Sequence, residues 1–276
     1  MSERRHSPKP AGEVYTQQDH PAFEEFMAAR TASHDAAFFL PHLRPGMRVL
    51  DAGCGPGSIT IGLAQAVHPG EVIGVDLQVT QVERARGLAA ERGAGNVRFE
   101  AADLYGLPFP DRTFDAVFSH GVVMHLGEPL RAIVEMRRVL TRGGIVGLRD
   151  PYVSAGFIHP STSLIEQSRS LLIRVREHNG SHPLVGARYR ELLREAGFDR
   201  SEATASVEYA GSLEATRRSA AWRKTQLQGL ARTALVQGWV DQATIDAIAA
   251  ELEAWGERPD AFSATIWCEA IGWVGE

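Results

Sequence analysis

Short apolar blocks at 47–52, 71–76, 97–101, 114–119 and 144–149 punctuate the first 150 residues, and between them apolar positions recur at helical spacing. Strands that alternate with helices of this length pair in parallel through right-handed crossovers. Beyond Asp150 the pattern changes. Ser163-x-x-Glu166 has the form of a capping box ahead of Leu164, Ile165, Leu171, Leu172 and Val175, and this helix stops at Asn179-Gly180. A second helix with Tyr189, Leu192, Leu193 and Ala196 on one face ends at Gly197, and Ala203, Ala205, Val207 and Tyr209 then alternate as a strand. Helical patterns at 212–237 and 241–256 intervene before the last alternating strand, Phe262, Ala264, Ile266 and Cys268. At the other end, Asp19-His20-Pro21 reads as a helix start, followed by Phe23, Phe26, Met27 and Ala36 to Leu40 as an apolar face.

The pattern predicts an α/β protein with a doubly wound, mostly parallel seven-stranded sheet, an N-terminal helix, and a helical lid inserted before the last strand. Residues 1–14 carry no periodicity and are expected to be disordered. Cap helices are expected over 15–40, a nucleotide-binding core over 41–150, and lid insertions with the last two strands over 151–276. The helices at 155–178 and 212–256 are expected to close over the site.

The chemistry concentrates at the end of the first strand, where Val49-Leu50-Asp51-Ala52-Gly53-Cys54-Gly55-Pro56-Gly57 leads into a helix. Glycines let the backbone take positive φ and let a ligand lie on the main chain, while the helix start offers unpaired N–H groups. A dinucleotide fingerprint would place its third glycine at position 58, which is Ser58; here the extra glycine falls at Gly57. The second strand ends in Asp76, 25 residues after Asp51. A carboxylate there accepts hydrogen bonds from ribose hydroxyls, which suits NAD and S-adenosylmethionine alike.

The following blocks run from Asn96-Val97-Arg98-Phe99 to Ala102-Asp103, through Leu107-Pro108-Phe109-Pro110, to Phe114-Asp115 with Ser119-His120, and to Arg142-Gly143-Gly144. Together with the glycine loop, this order resembles class I S-adenosylmethionine-dependent methyltransferases, in particular the group that includes the ubiquinone and menaquinone C-methyltransferases. The resemblance is dense from His42 to Asp150 and implies a Rossmann-like methyltransferase fold with S-adenosyl-L-methionine as cofactor. It implies that Asp51, Gly53, Cys54, Gly55 and Gly57 wrap the methionine and ribose. Asp76, Leu77 and Gln78 would follow, then Ala102, Asp103 and Leu104 at the adenine, with Ser119 and His120 closing the site. Tyr15, Arg30 and Thr31 stand where the family has its Tyr-Thr and Arg-Thr positions, and Arg30 would then pair with the methionine carboxylate. His125, in Met124-His125-Leu126, matches a histidine common in the family whatever the acceptor.

Composition sets limits. A net charge of −5 with two lysines, Lys9 and Lys224, gives no basic stripe for nucleic acid. Cys54 and Cys268 form no metal-binding spacing or disulfide framework. No run of 18 apolar residues and no signal-like segment occurs, so a cytoplasmic monomer or homodimer acting on a small molecule, without membrane insertion or a metal, is the expectation.

Methyl transfer from a sulfonium chiefly needs the acceptor held in line and water excluded. The acceptor, whether O, N or C, is expected to be a small apolar or aromatic metabolite, with His120 as candidate base and His125 as the alternative. His159, Trp222, Arg223 and Trp239 are candidate substrate contacts from the lid. Two other readings stay open at this point. One is a protein that binds the cofactor structurally or for a rearrangement or cyclisation; the other is an NAD-linked oxidoreductase, against which stands the lack of any Tyr-x-x-x-Lys pair.

Overall fold

The computed structural model describes residues 26–276. Tyr15 and the expected helix start at Asp19-His20-Pro21 lie outside the described residues, as does the expected disordered segment. Within the cap, Ala36 to Leu40 do not continue one helix. A single turn, α1 (Ala32–Asp35), gives way to turns and a 3₁₀ segment at Leu40–His42, where Pro41 removes a backbone donor.

The five apolar blocks form parallel strands β1 (Val49–Ala52), β2 (Val72–Asp76), β3 (Val97–Ala101), β4 (Phe114–His120) and β5 (Leu140–Pro151). β1, β2 and most of β4 and β5 are buried on both faces, which is why they read as continuous apolar runs rather than alternating ones. The crossover helices are α2 (Ser58–Val67), α3 (Val79–Glu91) and α4 (Pro129–Val139). The sheet order is β3-β2-β1-β4-β5-β8, where β8 (Phe262–Trp273) runs antiparallel to β5 and to β7 (Arg200–Ala210).

An eighth strand was not foreseen. β6 (Phe157–His159) occupies residues expected to be helical and pairs with the start of β8, on the edge that β5 covers farther along. The helix α5 (Ser163–His178) therefore fills only the later part of 155–178, and its cap is Thr162, whose hydroxyl accepts from the Ile165 N–H, one residue before the expected Ser163. The alternation in β7 is also opposite to its apolar pattern. Val207 and Tyr209 are exposed, whereas Ser206 and Glu208 turn inward because they pair with an internal charge, described below.

Two apolar layers flank the sheet. Ile133, Met136, Leu192 and Leu193, the last two from α6 (Tyr189–Glu195), pack on one face; Ala36, Phe39, Leu63 and Val67 pack on the other. A third core belongs to the lid alone, where Leu171, Val175, Leu227, Leu230, Ile248, Leu252 and Trp255 join α5, α7 (Leu213–Val236) and α8 (Gln242–Gly256). No helix among the described residues is long and apolar enough to cross a membrane.

Candidate active site

The carboxyl ends of β1, β2 and β4 open on a cavity of about 150 Å³. The chain leaves β1 through Gly53 and Gly55, with φ of +86° and +51°. At these positive φ values a side chain is strained at either position, and at Gly53 a Cβ would also stand 2.3 Å from Val122 Cγ2; at Gly55 it would meet only the flexible tip of Met27, at 2.7 Å. Asp76 ties this loop to the next. Its two oxygens accept from the N–H groups of Gly55 (3.0 Å) and Gln78 (2.9 Å), and burial raises its pKa while those two bonds pull it down. Beneath lies Asp51, 3% exposed, accepting from the Thr60 hydroxyl at 2.6 Å; burial pushes its pKa up to about 7. On the far wall Asp103 accepts from the Tyr105 N–H at 2.9 Å, which fixes its carboxylate by a local turn.

A larger cavity of about 740 Å³ adjoins the first, and Met27, Arg30, Gly121 and His125 line both. Its other walls include elements far apart in the chain: Phe26 before α1, Ile158 on β6, Arg169 and Leu172 on α5, Val207 and Tyr209 on β7, Trp222 and Arg223 on α7, and Trp267 on β8. The Phe26 and Trp222 rings stack at 4.0 Å with 14° between planes. A flat loop-lined cavity thus opens into a roomy one with aromatic walls.

Residues 43–203 match the methyltransferase domain family. The probable methyltransferase ltbC of Aspergillus luteorubrus is 33% identical over 273 residues, spanning 90% of this chain and 93% of that one. The chain belongs to the methyltransferase domain family. The 27-O-demethylrifamycin SV methyltransferase of Amycolatopsis mediterranei is 32% identical over 222 residues, covering 79% of this chain and 75% of its own length. In fold, the chain matches a Haemonchus contortus phosphoethanolamine N-methyltransferase 2, solved with phosphomonomethylethanolamine and S-adenosylhomocysteine, at a TM-score of 0.61 and 17% identity. That match covers 95% of this chain and 61% of the other. The protein is an S-adenosylmethionine-dependent methyltransferase.

The methyltransferase fits its cofactor on its own geometry. The two glycines let Val122 and Met27 close against the loop, and Asp76 ends the second strand with a carboxylate on the cavity wall, the place where a ribose-binding acid is expected. Of the expected cofactor residues, Asp51, Gly53, Cys54, Gly55, Asp76, Leu77, Gln78, Asp103, Leu104, His120 and Arg30 line the first cavity. Three do not lie on that wall. Gly57 is the N-cap of α2, backed by Ala85 and Phe99, and Ala102 sits beside the wall, donating its N–H to Asp76 O. Ser119 is fully buried, and its hydroxyl donates to Ala52 O at 2.9 Å, bonding β4 to β1.

The lid candidates divide as well. Trp222 and Arg223 line the larger cavity. His159 is exposed outside it, its carbonyl accepting from Trp255 Nε1, and Trp239 packs against the lid core with His178 at 5.2 Å and Arg174 at 4.0 Å.

His120 lines the smaller cavity and not the larger one. Its ring stacks on Trp267, Nδ1 lies 3.4 Å from Arg149 Nη1, and Nε2 lies 3.7 Å from Asp35 Oδ1. Since an arginine can only donate, Nδ1 accepts and the ring proton belongs on Nε2. Burial, aided by Arg30 and Arg149, holds its pKa well below the usual 6.5. Burial, with Arg176 and Arg30, takes His125 down to about 3.

Arg149 and its partners form a buried charge cluster that no sequence motif marks. The guanidinium, 1% exposed, donates to Asp35 (3.3 Å), Glu208 (3.0 Å) and Glu269 (3.2 Å) and lies over the Trp267 ring. It thereby joins the cap, β5, β7 and β8 behind His120. The signal was present as a charged pair, Arg149-Asp150, inside the apolar run of a central strand, where an unpaired charge would be very costly.

Proposed function

We propose that the protein transfers the methyl group of S-adenosylmethionine to a small metabolite with an apolar or aromatic body, held in the larger cavity. The observation that carries this reading is the wall of Met27, Arg30, Gly121 and His125 common to both cavities, which gives the acceptor side direct access to the cofactor side. The smaller cavity would hold the cofactor, whose methyl group is already electrophilic, so a base is needed only where the acceptor atom must lose a proton. The protein's own part is positioning and exclusion of water.

The stacked Phe26 and Trp222 rings offer a flat surface for the acceptor, and Met27 covers the glycine loop from above. His120 acts as a positioning residue. Both its nitrogens face Arg149 and Asp35, which makes the base role foreseen for it poorly suited to the geometry. His125 stands on the shared wall as a neutral imidazole and would shape the passage rather than carry charge. The protein also keeps room for a substrate beside its cofactor, which favours transfer over purely structural use of the cofactor. The test is incubation with methyl-deuterated S-adenosylmethionine and a metabolite extract, followed by a mass search for products three daltons heavier than their unlabelled pairs. Failure to form S-adenosylhomocysteine with any extract, despite cofactor binding, would sink the transfer reading.

A further inference from the structure

The larger cavity is unevenly charged. Its two carboxylates, Asp35 and Glu208, are both engaged by Arg149. On the lid side, Arg169 pairs with Glu166 and donates to the carbonyls of Ser154 and Gly156, and Arg218 pairs with Glu214. Arg223 differs from these. Its Nε donates to the Ser219 hydroxyl at 3.3 Å, and no carboxylate among the described residues pairs with it. Desolvation lowers its pKa to about 10, and the charge of Arg169 adds to the shift. A guanidinium partly withdrawn from water beside a second cation is costly to hold, and that cost falls when an anion enters.

We propose that Arg223 is the anchor for a carboxylate on the methyl acceptor, so that the substrate class is an apolar or aromatic carboxylic acid. With Nε taken by Ser219, the outer two nitrogens remain, and that pair matches the two oxygens of a planar carboxylate side by side. Arg223 lies on the lid and not on the wall shared with the cofactor cavity. Holding the acid there leaves the rest of the molecule to lie along Trp222 and Phe26 toward Gly121. A carboxylate matches the single guanidinium of Arg223 in charge and in its pair of oxygens. The inference rests on the methyl-transfer reading and deepens it.

The experiment uses the full-length protein saturated with S-adenosylhomocysteine, titrated calorimetrically with matched aryl carboxylates, carboxamides and phosphates such as 2-naphthoate, 2-naphthamide and 2-naphthyl phosphate. The carboxylates should bind about tenfold more tightly than their amides. Arg223→Gln should bring the two within about threefold, and Arg223→Lys should keep part of the preference. Without ligand, Arg223→Gln should melt at or above the wild-type temperature, since it removes an uncompensated charge. Lack of carboxylate binding, a preference that survives Arg223→Gln, or a clear fall in melting temperature would each overturn the proposal; tighter binding of phosphates would replace the carboxylate by a phosphate. S-adenosylhomocysteine affinity separates the two readings. If the wild type does not bind it, the methyl-transfer reading fails; if it binds normally and no carboxylate preference appears, only the anchor fails.

Discussion

The smaller cavity, proposed for the cofactor, and the larger one, proposed for the acceptor, share a wall but are built in different ways. The first is made from backbone: two positive-φ glycines, the N–H groups of Gly55 and Gln78, and strand-end acids, all within 55 residues of one another. The second is made from side chains carried by the cap, α5, α7 and β8, more than 200 residues apart, and rests on a lid with its own core. A backbone site serves one ligand whose shape does not vary. A side-chain site on a separately packed lid can change its chemistry without disturbing the sheet.

The largest effect should come from breaking the lid core alone. Leu252, 1% exposed, packs among Leu227, Leu230 and Trp255, and Leu252→Ala should cost about 2–5 kcal/mol. If the two cores are separate, amide exchange will quicken in α5, α7 and α8 while β1, β2 and β4 keep their protection and S-adenosylhomocysteine affinity changes little. Equal loss of protection in the sheet would show that the lid and sheet unfold as one.

A smaller effect is expected from the cofactor side. Asp76→Ala removes the acceptor for two loop N–H groups as well as the ribose partner, and the dissociation constant for S-adenosylhomocysteine should rise roughly 10- to 100-fold. Calorimetry measures it. A change under threefold would remove Asp76 from the site.

The same contrast decides what was legible in the sequence. Gly53, Gly55 and Asp76 are legible because a backbone site needs particular residues at fixed spacing along one stretch, and Asp103 is legible through the family resemblance of its block. Trp222 and Arg223 were found from residue type alone, and so were His159 and Trp239, which the structure leaves outside the cavity. Nothing in helical spacing says which face of a lid helix turns to the cavity and which to the lid core. The apolar positions of β7 misled for a related reason. Glu208 and Ser206 are drawn inward by Arg149, a partner some 60 residues away, and Val207 and Tyr209 are left exposed at the rim of the larger cavity. β6 escaped notice since three residues carry no period.

Asp51 gives a pH-dependent test confined to the cofactor half. Its ordinary pKa of 3.8 is raised to about 7 by burial, so between those values the folded protein holds a proton that the unfolded chain has released. The acid therefore supports stability at low pH and withdraws that support as pH rises from 3.8 to 7. Without cofactor, Asp51→Asn should match the wild type near pH 4 and exceed it at pH 8, by about 1–2 kcal/mol after allowing for the Thr60 hydrogen bond. Thermal melts across that range read it directly. A constant difference at all pH values would mean that Asp51 is ionised throughout.

The smallest effect is expected at His120, on the boundary between the two halves. Were it the base, kcat/KM would fall below a pKa near neutrality and His120→Gln would abolish most turnover. Its ring instead accepts from Arg149, stacks on Trp267, and is held neutral by burial and by the neighbouring guanidinium groups. It is thus already deprotonated well below pH 6.5, and its titration should leave no limb in the profile between pH 6 and 9. Glutamine keeps an acceptor for Arg149, so His120→Gln should hold turnover within about threefold, under roughly 0.7 kcal/mol in barrier. Its effect should fall on cofactor affinity, because His120 lines that cavity and not the acceptor's. A hundredfold loss of kcat with unchanged cofactor affinity would return His120 to the chemistry and place the acceptor's reacting atom on the cofactor side of Gly121.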